Sequence, residues 1–388
     1  MRRPNIVLLA LMLAALAGWL GFESVNVAAN RIVAGTGFHA HEIVGWPGSV
    51  MSCLPLAAVA MLAWRPTRVR LCWALALIVL ILMAMPAWLA IAADRLVDPS
   101  LPQSRLGIGP ANWLLLFLLL FSLVELRVRL ALSRWVTWWL VLPVLAAWWL
   151  ALTTWLEPLA LLREYQVRSD PFHTAVLVHL ALVGASVGIS LVIGVLLALA
   201  MRRHAGIQRL VFSVLNILQT IPSLALFGLL LAPLAWLAAN VEWIAALGIS
   251  GIGWAPALLA LVGYSLLPMV RNTFVALSEV EPGVIDSARG MGMNDRQVFL
   301  QVRFPLALPV MLEGVRITTV QAIGLTAVAA LIGAGGLGTF IFQGLGQAAM
   351  DLVLLGALPI LFLALVADAL LGALASRLDH RRDAGVSG

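Results

Sequence analysis

The chain has 388 residues, of which 62% are hydrophobic and 11% are charged, and its mean hydropathy is +1.03. An ordinary soluble domain is roughly 45–50% apolar and about 25% charged, so this composition excludes a water-soluble enzyme with a single core and indicates a polytopic membrane protein. The net charge of +6 comes from 24 Arg against 18 Asp and Glu, and basic cytoplasmic loops explain it better than nucleic-acid binding.

Ten apolar runs approach the roughly 20 residues that a membrane-crossing helix needs. They fall at 6–22, 48–64, 71–92, 111–126, 135–156, 173–201, 208–238, 255–277, 306–331 and 352–375. The second and fourth runs are short, so nine or eleven spans remain alternatives. The basic N-terminus has signal-peptide character, but no clear small-residue cleavage site follows it, and we expect an uncleaved first helix.

The arginines are unevenly shared between alternate connecting segments. With the N-terminus inside, 18 Arg fall in cytoplasmic segments and 5 in the opposite ones, while Arg316 lies within a span. Cytoplasmic loops of membrane proteins carry the excess of basic residues. The pattern therefore predicts ten spans in a bacterial inner (plasma) membrane, with both termini in the cytoplasm.

Composition changes near residue 170. Residues 1–170 hold 12 of the 15 Trp, whereas residues 171–388 hold 24 of the 32 Gly. Trp suits membrane interfaces, and Gly allows helices to approach closely. We expect a five-span N-terminal extension over 1–170 and a second five-span unit over 171–380. No internal repeat is evident, which counts against an inverted-repeat carrier.

The segment 278–305 is a polar connection between the eighth and ninth predicted spans. Pro282 and Gly283 are predicted to end the preceding structure, and residues 284–290 to form a short helix. A turn at the glycines of 290–292 is then predicted to reverse the chain.

A second helix is predicted to follow this turn. Asn294 and Gln297 have the spacing of a capping box, and Val298, Phe299 and Val302 would share one side of a helix that ends near Pro305. Helix, glycine turn and helix form the shape of a docking element.

This loop resembles the hallmark of membrane-spanning permeases of ATP-binding-cassette (ABC) importers, which reads Glu-Ala-Ala, three residues, Gly, nine residues, Ile-x-Leu-Pro. Here Asp286-Ser287-Ala288 stands first, Gly292 follows after three residues, and Val302-Arg303-Phe304-Pro305 follows after nine more. The alternative is an ordinary amphipathic connector. The resemblance implies that the loop couples to an ATPase through Asp286, Ser287, Ala288, Gly290, Gly292, Val302, Phe304 and Pro305.

Two further stretches narrow the resemblance. Gln219–Ala225 and Ile332–Gly338 are similar to permeases that import glycine betaine, choline and related osmoprotectants. The likeness covers about 171–380, so the extra N-terminal spans indicate a long variant of this type.

The resemblance implies an all-α polytopic membrane protein with about ten transmembrane helices and a type I ABC importer core. It implies two permease subunits, of the same or a related chain, with cytoplasmic ABC ATPase subunits and a periplasmic solute-binding protein. It places ATP in the ATPase, so we expect no cofactor, metal or catalytic residue in this chain, which is not an enzyme. An amino acid or sulfonate cargo remains an alternative, as does, less favoured, an ion-coupled secondary transporter.

Uncharged polar side chains recur in the seventh to ninth spans. Interhelical hydrogen bonding explains any one of them, but together they suit a transiently wetted path for a polar solute. The candidates for that path are Asn216, Gln219, Thr220, Ser223, Ser265, Thr319 and Gln321.

Charged residues inside spans are costly and point to function. Glu313 and Arg316 are three residues apart on one helical face, and we interpret them as a structural or gating ion pair. Asp368 is interpreted as a helix contact, and His173 and His179 as satisfied histidines. The glycines of 333–338 superficially resemble a dinucleotide loop, but no strand or Lys accompanies them, so a hinge or re-entrant turn is predicted.

Overall fold

The computed structural model describes residues 4–31, 33–101 and 103–386, and Arg2 and Arg3 of the orientation argument lie outside them. The chain divides into two compact units, one ending at Val167 and the other beginning at Arg168. They are called the N-terminal and the C-terminal unit.

The N-terminal unit is a bundle of helices. Its helices are α1 (Ile6–Gly21), α2 (Ala40–Trp64), α3 (Arg68–Leu96), α4 (Pro110–Leu130), α5 (Arg134–Thr154) and α6 (Ala160–Val167). Their apolar sides meet in a core that includes Leu8, Met12, Val59, Ile78 and Leu119, each fully buried. Burial of such large side chains supplies the main packing energy of this unit.

A small sheet accompanies these helices. Its strands are β1 (Val25–Ala28), β2 (Thr36–Phe38) and β3 (Arg105–Ile108). They run antiparallel in the order β2-β1-β3, and Val25 of the central strand pairs with Phe38 on one side and Ile108 on the other. This sheet is an unpredicted addition to the all-α fold, because strands of three or four residues leave almost no periodic signal in the sequence.

The C-terminal unit is also helical. Its helices are α7 (Ser169–Arg203), α8 (Ala205–Thr220), α9 (Ser223–Asn240), α10 (Glu242–Ala246), α11 (Trp254–Ser278), α12 (Pro282–Gly290), α13 (Asp295–Gln297), α14 (Phe304–Ala329), α15 (Gly338–Gly346) and α16 (Met350–Val386). A π-helical segment, Val298–Arg303, joins α13 to α14. Helix α11 packs against α7 and α14, and α14 packs in turn against α16.

Eight helices in the described residues are long and apolar enough to cross a membrane. They are Ala40–Trp64, Arg68–Leu96, Val136–Thr154, Ser169–Arg203, Ser223–Asn240, Trp254–Ser278, Asp295–Ile332 and Met350–Leu378. Helices also occupy the predicted spans 6–22 and 111–126, and the first of these, α1, has 16 residues. The predicted all-α membrane fold is confirmed.

The predicted span 208–238 is wrong as one continuous helix. The chain breaks at Ile221 and Pro222, which separate α8 from α9. A residue before proline is disfavoured in the α region, and Ile221 accordingly has φ −73° and ψ +124°.

Candidate functional site

The 278–305 loop forms two short helical segments joined by a turn. Helix α11 ends at Ser278, and α12 begins at Pro282. The prediction that Pro282 ends the preceding structure is therefore wrong. Proline lacks an N–H and has its φ preset, which suits the first position of a helix, and Pro282 takes that position in α12.

The turn after α12 depends on Gly292. Its φ is +87°, a left-handed conformation that L-residues rarely adopt. The Gly292 N–H donates to the Arg289 carbonyl at 2.9 Å, and the Met293 N–H donates to the Ala288 carbonyl at 3.2 Å. No atom lies within 4 Å of where a Cβ of Gly292 would be, so the backbone angle alone demands glycine here.

The predicted capping box at the start of the second segment is confirmed. The Asn294 side chain accepts from the Gln297 N–H at 2.9 Å, and the Gln297 side chain accepts from the Asn294 N–H at 2.9 Å. Two otherwise unpaired backbone donors are thereby satisfied, so this helix start is strongly defined by local sequence.

The prediction that this second helix ends near Pro305 is wrong. Helical structure continues from Asp295 to Ile332, through the π-helical Val298–Arg303 and into α14. At the junction the Phe304 N–H donates to the Phe299 carbonyl, five residues earlier. This wider turn lies where the ring of Pro305 would otherwise clash with a preceding carbonyl, and the helix passes the proline without stopping.

The loop packs on itself through an apolar seam. Ile285, Ala288 and Val298 are buried, and Met293 and Val302 pack against them. Among the predicted coupling residues, Ala288 therefore holds the two segments together rather than facing outward. Asp286, Ser287, Gly290, Gly292 and Pro305 are exposed, and Val302 and Phe304 are half-buried.

Three of the polar residues predicted for a solute path, Gln219, Thr220 and Ser223, flank the break between α8 and α9. The Gln219 Nε2 donates to the Tyr264 carbonyl of α11 at 3.0 Å, and the next residue of α11, Ser265, is buried. The Tyr264 hydroxyl donates to the Ile221 carbonyl. Gln219 and Tyr264 thus fasten the interrupted helix to α11.

The other predicted path residues are less closely grouped. The Thr220 and Thr319 hydroxyls donate to their own helices, to the carbonyls of Ile217 and Val315, both at 2.7 Å. Asn216 is exposed, and Ser223 and Gln321 are half-buried. These hydrogen bonds within one helix satisfy the two threonine hydroxyls. The amides of Asn216 and Gln321 remain at least partly accessible.

Arg316 has a partner that sequence reasoning missed. The predicted contact to Glu313 is present, with 3.0 Å between Nη1 and Oε1. Arg316 also forms two hydrogen bonds across to Asp368 of α16, from Nε to Oδ1 at 2.7 Å and from Nη2 to Oδ2 at 2.8 Å. Gly372, one turn after Asp368, leaves room for the guanidinium, since a Cβ there would lie 3.2 Å from Arg316 Cζ.

The glycine loop 333–338 makes a tight reversal between α14 and α15. Gly333, Gly335 and Gly336 have φ between +77° and +81°. The Gly253 N–H donates to the Ile332 carbonyl at 2.8 Å, which ties the reversal to the segment before α11. His179 of α7 is fully buried, with Nε2 3.1 Å from the Ile323 carbonyl oxygen.

Comparison with known proteins identifies the family of this chain. The family model described as binding-protein-dependent transport system inner membrane component matches residues 190–380. The osmoprotectant import permease protein OsmW of Salmonella typhimurium is 42% identical over 193 residues, which are 50% of this chain and 85% of that protein. The chain belongs to this family of permeases. The resemblance drawn from the loop motif is confirmed, and the chain is the membrane-spanning permease subunit of an ATP-driven importer.

The N-terminal unit of the permease has its own match. A second family model, described as the N-terminal domain of ABC transporter permease YehY, covers residues 2–162. The two matched regions lie on either side of the division between the units at Val167 and Arg168. The extra N-terminal helices are thus similar to a domain described for another ABC permease.

Other proteins resemble the C-terminal part of the permease. The glycine betaine/carnitine/choline transport system permease protein OpuCD of Bacillus subtilis is 36% identical over 182 residues, which are 47% of this chain and 72% of that protein. A chain in an inward-facing structure of the MetNI methionine ABC transporter is 24% identical, with a TM-score of 0.45, and the match covers 53% of the permease and 95% of that chain.

Proposed function

We propose that this permease imports a quaternary-ammonium osmoprotectant of the glycine betaine, choline or carnitine kind. The observation that carries the proposal is the identity of 36–42%, over about half the chain, to permeases named for osmoprotectants or for these three solutes. Such solutes are small and polar, and the half-buried amides and hydroxyls of α8, α9 and α14 suit a path that is wetted only during passage.

The same proposal assigns the path to residues 171–380 and energy coupling to the 278–305 loop. The exposed residues Asp286, Ser287 and Gly290 would contact a cytoplasmic ABC ATPase subunit, which binds and hydrolyses ATP. The self-packed seam of Ile285, Ala288 and Val298 supports this role, because a docking element that transmits force must be rigid. A second permease subunit, of this or a related chain, would complete the path, and a periplasmic binding protein would deliver the solute.

Reconstitution tests this proposal. The full permease is placed in liposomes with its partner ATPase and binding protein, and uptake of labelled glycine betaine, choline, carnitine, an amino acid and taurine is measured with ATP inside. We expect ATP-dependent uptake of at least one quaternary-ammonium solute. Uptake of only the amino acid or taurine would contradict the cargo assignment.

A matched control distinguishes the ATP-driven importer from the alternative of an ion-coupled secondary transporter. Vesicles loaded with a non-hydrolysable ATP analogue, with a proton or sodium gradient imposed, should show no uptake. Gradient-driven uptake under these conditions would contradict the assignment of the driving force to a partner ATPase.

A further inference from the structure

The ion cluster of Glu313, Arg316 and Asp368 joins two membrane-spanning helices of the permease. The Asp368 carboxylate accepts two short hydrogen bonds from the Arg316 guanidinium, at 2.7 and 2.8 Å. Glu313 shares only the remaining Nη1, with its oxygens at 3.0 and 3.4 Å. A bidentate guanidinium–carboxylate pair is the stronger and more specific arrangement. Arg316 is therefore largely committed to Asp368.

The cluster holds more negative than positive charge. With all three groups ionised, two carboxylates face one guanidinium, and the net charge is −1. Since the fork pairs Arg316 with Asp368, the excess negative charge resides on Glu313. A net charge inside a membrane-spanning helix is costly unless it meets a counter-ion or water, and such residues mark solute or ion pathways.

Glu313 is also accessible from outside the unit. Its side chain is 44% exposed, compared with 31% for Arg316 and 45% for Asp368. Ile317, Gln321 and Gly324 follow it at intervals of four, four and three residues, which places all four on one face of α14. Ile317 and Gly324 are exposed, and Gln321 is half-buried. This open face, defined by residues 313, 317, 321 and 324, thus carries a carboxylate and an amide two turns apart.

We propose that the Glu313 carboxylate transiently binds the cationic head of the solute as it crosses the membrane, with the Arg316–Asp368 pair holding it in position. This inference rests on the proposed function, because it requires a quaternary-ammonium cargo. Such a head has no N–H to donate, so its attraction to Glu313 is Coulombic and does not require the Glu313–Arg316 hydrogen bond to break. The neighbouring guanidinium weakens the site, and a transport path needs sites from which the solute can leave.

The geometry offers a clean variant for the test. Glu313 and Arg316 lie on the same helix, so Glu313→Gln removes the negative charge without removing the α14–α16 bridge between Arg316 and Asp368. Glu125→Gln is a matched control, because Glu125 pairs with Arg129 at i,i+4 on α4 of the N-terminal unit, 2.8 Å away.

Uptake is measured in the reconstituted importer at saturating binding protein. Choline carries a net positive charge, whereas glycine betaine also carries a carboxylate that Glu313 repels. We therefore expect Glu313→Gln to lower choline uptake roughly tenfold, by loss of one partly screened ion contact, and glycine betaine uptake clearly less. Glu125→Gln should leave both rates unchanged. ATPase co-purification and melting temperature should match the unmodified permease.

The outcomes separate the two proposals. If the unmodified permease transports no quaternary-ammonium solute, the cargo assignment fails and the inference fails with it. If it transports them and Glu313→Gln transports choline at the unmodified rate, the cargo assignment stands and the carboxylate is not a binding group. An equal loss for choline and glycine betaine would also overturn the inference, because it would indicate a structural role only.

Discussion

Each unit of the permease contains, within the described residues, ion pairs in which one charged group meets two groups of the opposite sign. In the N-terminal unit one carboxylate, Glu164, meets two guanidiniums, with 2.7 Å to Arg105 Nη1 and 3.3 Å to Arg31 Nε, and its side chain is 4% exposed. In the C-terminal unit one guanidinium meets two carboxylates that are 44% and 45% exposed. The single carboxylate of the first cluster is buried, whereas both carboxylates of the second cluster are accessible. We infer that the first serves structure and the second serves transport.

Helix contacts in the two units also differ in their use of glycine. The N-terminal core is filled by large side chains such as Leu8, Met12 and Ile78. In the C-terminal unit several glycines allow backbones to touch, and a Cβ on Gly338 would lie 1.9 Å from the Ala327 carbonyl oxygen. Close backbone approach maintains a packed interface with few interlocking side chains, which suits helices that must move during transport.

Among the substitutions that test this comparison, Glu164→Gln is expected to cause the largest loss of stability. Replacement by Gln removes the buried carboxylate that Arg105 and Arg31 contact, which should lower the free energy of unfolding by about 3 kcal/mol. Denaturant unfolding of the full permease in detergent measures this loss. Glu157→Gln, an exposed carboxylate on the preceding turn, is the control. Unchanged stability of the Glu164→Gln protein would show that this cluster is not structural.

A smaller loss of stability is expected when a side chain is introduced at a close glycine contact of the C-terminal unit. Gly338→Ala places a methyl against the Ala327 carbonyl, and overpacking of this kind costs about 1–3 kcal/mol. The expected result is a lower melting temperature and slower uptake. Gly346→Ala, at the other end of α15 with nothing within 4 Å of its Cβ position, should change neither. Equal behaviour of the two variants would contradict the close-approach argument.

The smallest change in stability is expected in the 278–305 loop, although its effect on coupling should be clear. Gly292→Val forces a β-branched residue to φ +87°, at a cost of about 1–2 kcal/mol, and should misplace α12. We expect normal insertion but a loss of ATPase stimulation by loaded binding protein. Gly206→Ala, on α8 with nothing within 4 Å of its Cβ position, is the matched control. Normal stimulation in Gly292→Val would refute the coupling assignment.

The sequence by itself determined the membrane fold, the helix–turn–helix of the loop and the family. These depend on signals that are local along the chain, such as runs of about 20 apolar residues, the Asn294–Gln297 capping box and the fixed spacing from Asp286 to Pro305. The need for glycine at position 292 is local in the same sense, because it follows from one backbone angle.

Only the tertiary structure decided which distant residues meet. The sheet pairs Val25 with Ile108, Glu164 receives Arg105, and Arg316 reaches Asp368, each across more than fifty residues of chain. Side-chain charge alone cannot predict such pairs, because it does not say which elements pack together, and helix packing decides which charged groups come within reach of each other. The balance of charge on the open face of α14, and hence the role proposed for Glu313, follows from that selection.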